Sequence, residues 1–138
     1  MSTHSRIGRV LPNGGIESVY CHFDGYPSGV GSTLLEHYND PAKVAALIAL
    51  GNLSSLAETL EETRAYSRDR GESIVDNKAE IRDREYYYLC MSRKDGVQWA
   101  YLFKDGKWTF AKVWDSARDW YPITFHELTT EHCAEEVR

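Results

Sequence analysis

The chain has 138 residues, 42% of them hydrophobic and 27% charged, with a formal net charge of −5. That length and apolar content predict a single domain over residues 1–138 with a core of its own, and the mild acidity argues against direct binding to nucleic acid. The longest apolar run, Val44 to Leu50, is far short of the roughly 20 residues of a membrane span, and the N-terminus has no signal-peptide pattern, so a soluble cytoplasmic protein without a membrane partner is expected.

Arg6 to Leu11 and Ile16 to Phe23 flank Pro12-Asn13-Gly14-Gly15, and Asn-Gly between two apolar runs predicts a β-hairpin. Alternation along the second strand sets Val19, Cys21 and Phe23 on one face and Ile16, Tyr20 and His22 on the other, so Cys21 and His22 point apart. The hairpin runs into Cys21-His22-Phe23-Asp24-Gly25-Tyr26-Pro27-Ser28-Gly29-Val30-Gly31, the densest concentration of functional groups in the chain.

Thr33-Leu34-Leu35-Glu36 reads as a capping box opening a short helix that runs through Tyr38. Asp40-Pro41 predicts an N-cap with proline at the first helical position, Val44, Leu47 and Ile48 form an apolar stripe, and Gly51 ends that helix. Ser55-Leu56-Ala57-Glu58 is a second capping-box pattern, predicting a third helix with Leu56 and Leu60 inward that ends near Tyr66. Ser67 to Glu85 is mostly charged and polar and is expected to be a long surface loop.

Tyr86 to Ser92, Val97 to Lys104 and Lys107 to Trp114 read as three strands turning at Lys94-Asp95-Gly96 and Asp105-Gly106. A two-residue turn at Asp105-Gly106 pairs Phe103 with Trp108 and Tyr101 with Phe110, and the other turn sets Met91 opposite Trp99 and Leu89 opposite Tyr101. Both faces of this meander are apolar and need cover. The helices cover one; the C-terminal segment, a second subunit or a ligand is expected to close the other, which makes a homo-oligomer possible. Tyr121 to Leu128 adds a further strand with Phe125 inward, and Glu131 to Arg138 is expected to fray. The fold class expected is therefore α+β, an antiparallel sheet with about three short helices packed on one face.

Cys21, Cys90 and Cys133 are an odd number without CxxC spacing, which suggests reduced thiols and neither a disulfide framework nor a zinc site. No motif points to a cofactor. His22 and Asp24 have two readings. If the strand continues to Asp24 they share a face about 7 Å apart, and the carboxylate orients the imidazole for acid–base work. Otherwise Asp24-Gly25 begins a turn and His22 is a satisfied, partly buried histidine. Gly25, Gly29 and Gly31 are either tight-turn glycines or the backbone of an anion site formed with the amides of Ser32 and Thr33; the spacing is neither a Walker loop nor a dinucleotide fingerprint. Arg64, Arg68 and Arg70, interleaved with Tyr66, fit either a solvated helix end or a phosphate clamp.

Met1 to Gly8, Val19-Tyr20-Cys21-His22-Phe23-Asp24-Gly25-Tyr26-Pro27 and Leu50-Gly51-Asn52-Leu53-Ser54-Ser55-Leu56 resemble a family of small proteins met in phage and prophage genomes, in which tryptophan often stands at the position of Phe23. The resemblance covers roughly the first half of the chain. It implies a phage-like origin and the host cytoplasm as workplace, where such accessory proteins often counter host defence by sequestering a nucleotide signal or blocking a defence protein.

The leading expectation is a non-catalytic binding protein for a nucleotide-like ligand, with no catalytic residue. In it His22, Asp24, Gly25 and Tyr26 form part of a pocket, Ser32 and Thr33 amides with Arg68 or Arg70 meet phosphate, and an aromatic ring stacks on the base. The alternatives are an inhibitor of a host defence protein, acting through the aromatic sheet face or the acidic surface at Glu58, Glu61 and Glu62, and a small enzyme with His22 as base and Asp24 orienting it.

Overall fold

In the computed structural model, residues 2–113 and 124–134 are described. The chain opens with the expected hairpin, β1 (Ser5–Val10) and β2 (Ile16–Cys21), antiparallel in a register running from Val10 opposite Ile16 to Ser5 opposite Cys21. Gly14 adopts a φ of +87° in the turn, a conformation that costs a residue without Cβ little. A π-helical turn, Pro27–Gly31, leads directly into α1 (Ser32–His37). Thr33 is therefore not an N-cap: its hydroxyl donates to the Gly29 carbonyl at 3.2 Å, because the helix is already under way when it is reached.

Helix α2 (Pro41–Ala49) starts and stops on the expected signals, with the Asp40 carboxylate accepting from the Ala42 amide at 2.9 Å and Gly51 in the left-handed region at φ +82°. The third helix predicted over Ser55 to Tyr66 does not form. Leu53–Ser55 is instead β3, which joins β2 through Cys21 opposite Leu53 and pairs with β4 (Arg64–Ala65). The Thr63 hydroxyl competes successfully with helical hydrogen bonding, since it accepts from the Ala57 amide at 3.0 Å and donates to the Thr59 carbonyl at 2.9 Å. Leu56 and Leu60 still pack inward, from an irregular connection.

The segment expected as a long loop is divided into α3 (Tyr66–Arg70), α4 (Ile74–Asn77) and β5 (Glu80–Arg82), the last paired antiparallel with β2. Tyr86 to Ser92, expected as a strand, lies in α5 (Glu85–Lys94). Tyr88, Met91 and Ser92 are its buried residues, a helical spacing that a run of three tyrosines with high strand propensity conceals. Met91 and Leu89 thus do not pair across to Trp99 and Tyr101.

The edge that α5 leaves free on β6 (Trp99–Lys104) is filled by β1, in parallel, with Ile7 opposite Tyr101. On its other side β6 pairs with β7 (Lys107–Lys112) in the predicted register, Phe103 opposite Trp108 and Tyr101 opposite Phe110. Asp105 and Gly106 both have positive φ, as a twist-matched two-residue turn requires. A short β8 (His126–Glu127) closes the order β4-β3-β2-β1-β6-β7-β8 with β5 beside β2, giving an α+β fold on a mixed, mostly antiparallel sheet. A last helix, α6, spans Thr130–Ala134, so the first part of the expected frayed tail is helical. Residues 114–123 and 135–138 lie outside the described residues, and with them the start of the predicted last strand and the end of that tail.

Helices cover both faces, not one. The aromatic face is the main core, where Tyr101, Phe103 and Trp108 meet Ile7, Val19 and Cys21 beneath α1 and α2. The opposite face, with Ala100, Leu102 and Val113, is closed by α5 through Tyr88 and Met91, and Phe125 stacks on Tyr88 at 6.0 Å. Among the described residues both faces are thus packed by elements of the chain itself. Among the described residues no helix is long and apolar enough to cross a membrane.

Candidate functional site

Strand β2 ends at Cys21, and the chain is then carried along β3 by His22 N–H donating to the Leu53 carbonyl and Phe23 N–H to the Ser54 carbonyl, each at 3.0 Å. Asp24 follows with φ +56° and turns the backbone away. The condition for a His22–Asp24 pair, a strand extending to Asp24, is therefore absent. The Asp24 carboxylate accepts from the Tyr26 hydroxyl at 3.1 Å, and His22 Nδ1 is hydrogen-bonded to the Tyr20 hydroxyl at 2.9 Å.

The glycines of the segment answer to backbone packed on backbone. Gly25 donates to the Thr3 carbonyl at 2.8 Å and accepts from the buried Tyr101 hydroxyl at 2.7 Å, and a Cβ at Gly25 would lie 2.8 Å from the carbonyl carbon of His4. A Cβ on Gly29 would lie 2.4 Å from the Asp24 carbonyl oxygen, which already accepts from Val30 N–H at 2.8 Å. The Ser32 amide points back to the Gly29 and Pro27 carbonyls, and the Ser32 hydroxyl to Glu36 at 3.4 Å. Ser32 and Thr33 are thus committed to the turn that carries them, in place of an outward anion site.

Of the two arginines singled out, Arg68 is tied down: its guanidinium forks onto Asp69 with two hydrogen bonds of 3.0 Å and also donates to the Thr63 carbonyl. The pairing holds the Asp69 carboxyl below its ordinary range, first through the Arg68 hydrogen bond and then through the Ala65 amide. Arg70 points elsewhere. Its guanidinium sits 5.4 Å from the centre of the Tyr66 ring, and its charge reaches His22.

What the structure brings together is a different set: His4, Tyr20, His22, Phe23, Tyr66 and Arg70. The His4 and His22 rings lie 4.4 Å apart at 33°, and His4 Nδ1 is 2.6 Å from the His22 carbonyl, to which it must be the donor. The Phe23 ring meets His22 edge-on at 4.6 Å. Burial first, then the neighbouring His4 and Arg70, lowers the pKa of His22, while burial and the nearby Tyr66 raise that of the Tyr20 phenol. Burial, His4 and Arg70 each disfavour the charged imidazole of His22, whose Nδ1 is already engaged by the Tyr20 hydroxyl. His4 and Tyr20 were legible in principle: continuing the hairpin register one step past Ser5 and Cys21 sets His4 opposite His22. The contribution of Tyr66 depends on the β3–β4 excursion, for which the sequence has no clear signal.

In this patch His4, Tyr20, His22 and Tyr66 are half-buried and Phe23 and Arg70 exposed. Two cavities lie away from it, one of about 590 Å³ between β5 and α5 and one of about 370 Å³ near Val10, Ile16 and Tyr86. Among the described residues no three His, Cys, Asp or Glu side chains converge as a metal site would require. Cys21 is buried, and its thiol is pushed up to about 12 by that burial, the reverse of what a nucleophile needs. Comparison with protein-family models, with curated proteins and with solved structures found no match to the chain.

Proposed function

We propose that the protein is a phage-type accessory protein that binds a nucleotide-like anion without turning it over, at the patch formed by His4, Tyr20, His22, Tyr66 and Arg70. The observation that carries this reading is Arg70, an exposed guanidinium beside the Tyr66 ring and within electrostatic reach of His22, whose imidazole lies 4.4 Å from that of His4. Such a patch offers flat faces for a base and a cation for phosphate. In this reading Arg70 and His22 keep the roles expected of them, while Asp24, Gly25, Tyr26, Ser32, Thr33 and Arg68, engaged in other hydrogen bonds, are left out of the patch. Among the described residues no carboxylate is hydrogen-bonded to His22, which favours binding over acid–base catalysis. The phage resemblance of the first half supports a host cytoplasm as workplace and an immune signal as the ligand.

The test is incubation with a panel of cyclic and linear nucleotides, removal of free ligand, heat release and chromatography. One class should be retained and recovered unchanged. Arg70→Ala should weaken retention about tenfold to a hundredfold, the worth of one hydrogen bond to a charged group. Retention of none, or equal retention by Arg70→Ala, overturns the reading.

A further inference from the structure

We propose that two copies of the chain join edge to edge through β5, each strand extending the other's sheet about a two-fold axis at Ile81. Strand β5 pairs with β2 on one side, and no strand among the described residues pairs with its other side. The sheet's other outer strands, β4 and β8, are two residues each and carry no exposed apolar side chain. Such short edges are poor templates for pairing, whereas β5 is longer and its central Ile81 is 56% exposed.

The sequence of β5 selects a second copy as the occupant. Glu80-Ile81-Arg82 laid antiparallel on itself sets Glu80 opposite the partner copy's arginine, repeats that pair by symmetry, and puts isoleucine on isoleucine. Opposite charges across the strands are favourable, and no like-charged pair arises within the three residues. The Glu80 carboxylate is already anchored, 3.6 Å from the buried Arg6 guanidinium and 3.5 Å from Arg82. Beside this edge lies the half-exposed Tyr87 ring, apolar surface that a neighbouring copy would shield, at the mouth of a groove of about 590 Å³ that mixes Ile81 and Met91 with charged residues. None of the residues of the His22 patch lies on β5, and the proposal does not rest on ligand binding there.

Light scattering on the purified chain should give twice the 15.8 kDa protomer mass. Arg82→Glu leaves the Glu80–Arg6 contact in place but opposes glutamate to glutamate twice, and it should return the protein to a monomer with an unchanged circular dichroism spectrum. Ile81→Lys should do the same, and in the native chain the amides of Glu80 to Arg82 should exchange more slowly as concentration rises. A monomeric native chain, or a dimer that survives both substitutions in folded protein, would overturn the proposal.

Discussion

Among the bonds that hold the segment from Cys21 to Gly31 is one from a buried side-chain hydroxyl, and removing it tests whether that segment is scaffold or site. Tyr101 is completely buried, and its hydroxyl donates to the Gly25 carbonyl at 2.7 Å across a separation of 76 residues. Tyr101→Phe keeps the ring against Gly31 and takes away only the donor. The loss should be about 1–3 kcal/mol, the cost of depriving a buried acceptor of its partner. For a domain of this size that corresponds to a fall in melting temperature of between about 3 and 10 °C. Urea denaturation should show a lower midpoint with an unchanged slope. Amide exchange should quicken at Gly25 and Val30, whose N–H groups bond to the Thr3 and Asp24 carbonyls. Tyr88→Phe supplies the contrast, because its hydroxyl donates to the Tyr101 carbonyl at 2.8 Å. It should lower global stability comparably without the local change at Gly25. Stability unaltered by Tyr101→Phe, combined with lost ligand retention, would refute the scaffold argument.

Asp40→Ala removes the side-chain cap of α2 and should cost about 1 kcal/mol in chemical denaturation; no change would mean the cap bond to Ala42 is idle. Gly29→Ala drives a Cβ to 2.4 Å from the Asp24 carbonyl oxygen, so the backbone must yield, at about 1–3 kcal/mol, and a melting temperature within error of the native value would contradict that geometry. Alkali should unfold the protein. The Cys21 thiol is raised to about 12 and the Tyr88 and Tyr101 phenols are raised above their usual 10, in each case first by burial. The unfolded chain therefore releases these protons before the native chain does, and stability that is fully present below about pH 9 falls as the pH rises. The loss should be about 1.4 kcal/mol per pH unit from Cys21 alone at first, and about 4 kcal/mol per unit above pH 10 when all three take part. A urea midpoint flat from about pH 8 to 11 would show that these groups are not buried as described.

Two hairpins and the cap of α2 were legible because their signals are local. Asn13-Gly14, Asp105-Gly106 and Asp40-Pro41 each determine a turn or a helix end within a few residues, and the cross-strand register of β6 and β7 follows from turn length alone. What escaped was decided at a distance. Tyr86 to Ser92 has strand propensity, yet β6 gains more from pairing with β1, a strand some 90 positions earlier, and the freed segment then covers Ala100 and Leu102 as a helix. Ser55 to Glu58 carries a capping pattern, yet Leu53 is completely buried as a strand residue beside Cys21, and Thr63 offers its hydroxyl to the loop that results. In both places a local preference lost to the burial of a sheet edge or face.

The same contest explains why the most function-like stretch of the sequence turned out to be mostly support. A segment packed against the β1 backbone, the Tyr101 hydroxyl and its own carbonyls needs glycine wherever a Cβ would collide, as at Gly25 and Gly29. It needs a residue tolerant of positive φ where it turns, as at Asp24. Glycine and aspartate in such company imitate a ligand loop, although here each has a steric or hydrogen-bonding reason to be present. The chemistry that remains is whatever the hairpin turns outward at its open end. Strand alternation selects Tyr20 and His22, register adds His4, and the β3–β4 excursion brings Tyr66 and Arg70 alongside. The binding role proposed for this protein therefore rests on the hairpin end and α3, and substitutions there, not in the glycine-rich turn, should change binding while leaving the fold intact.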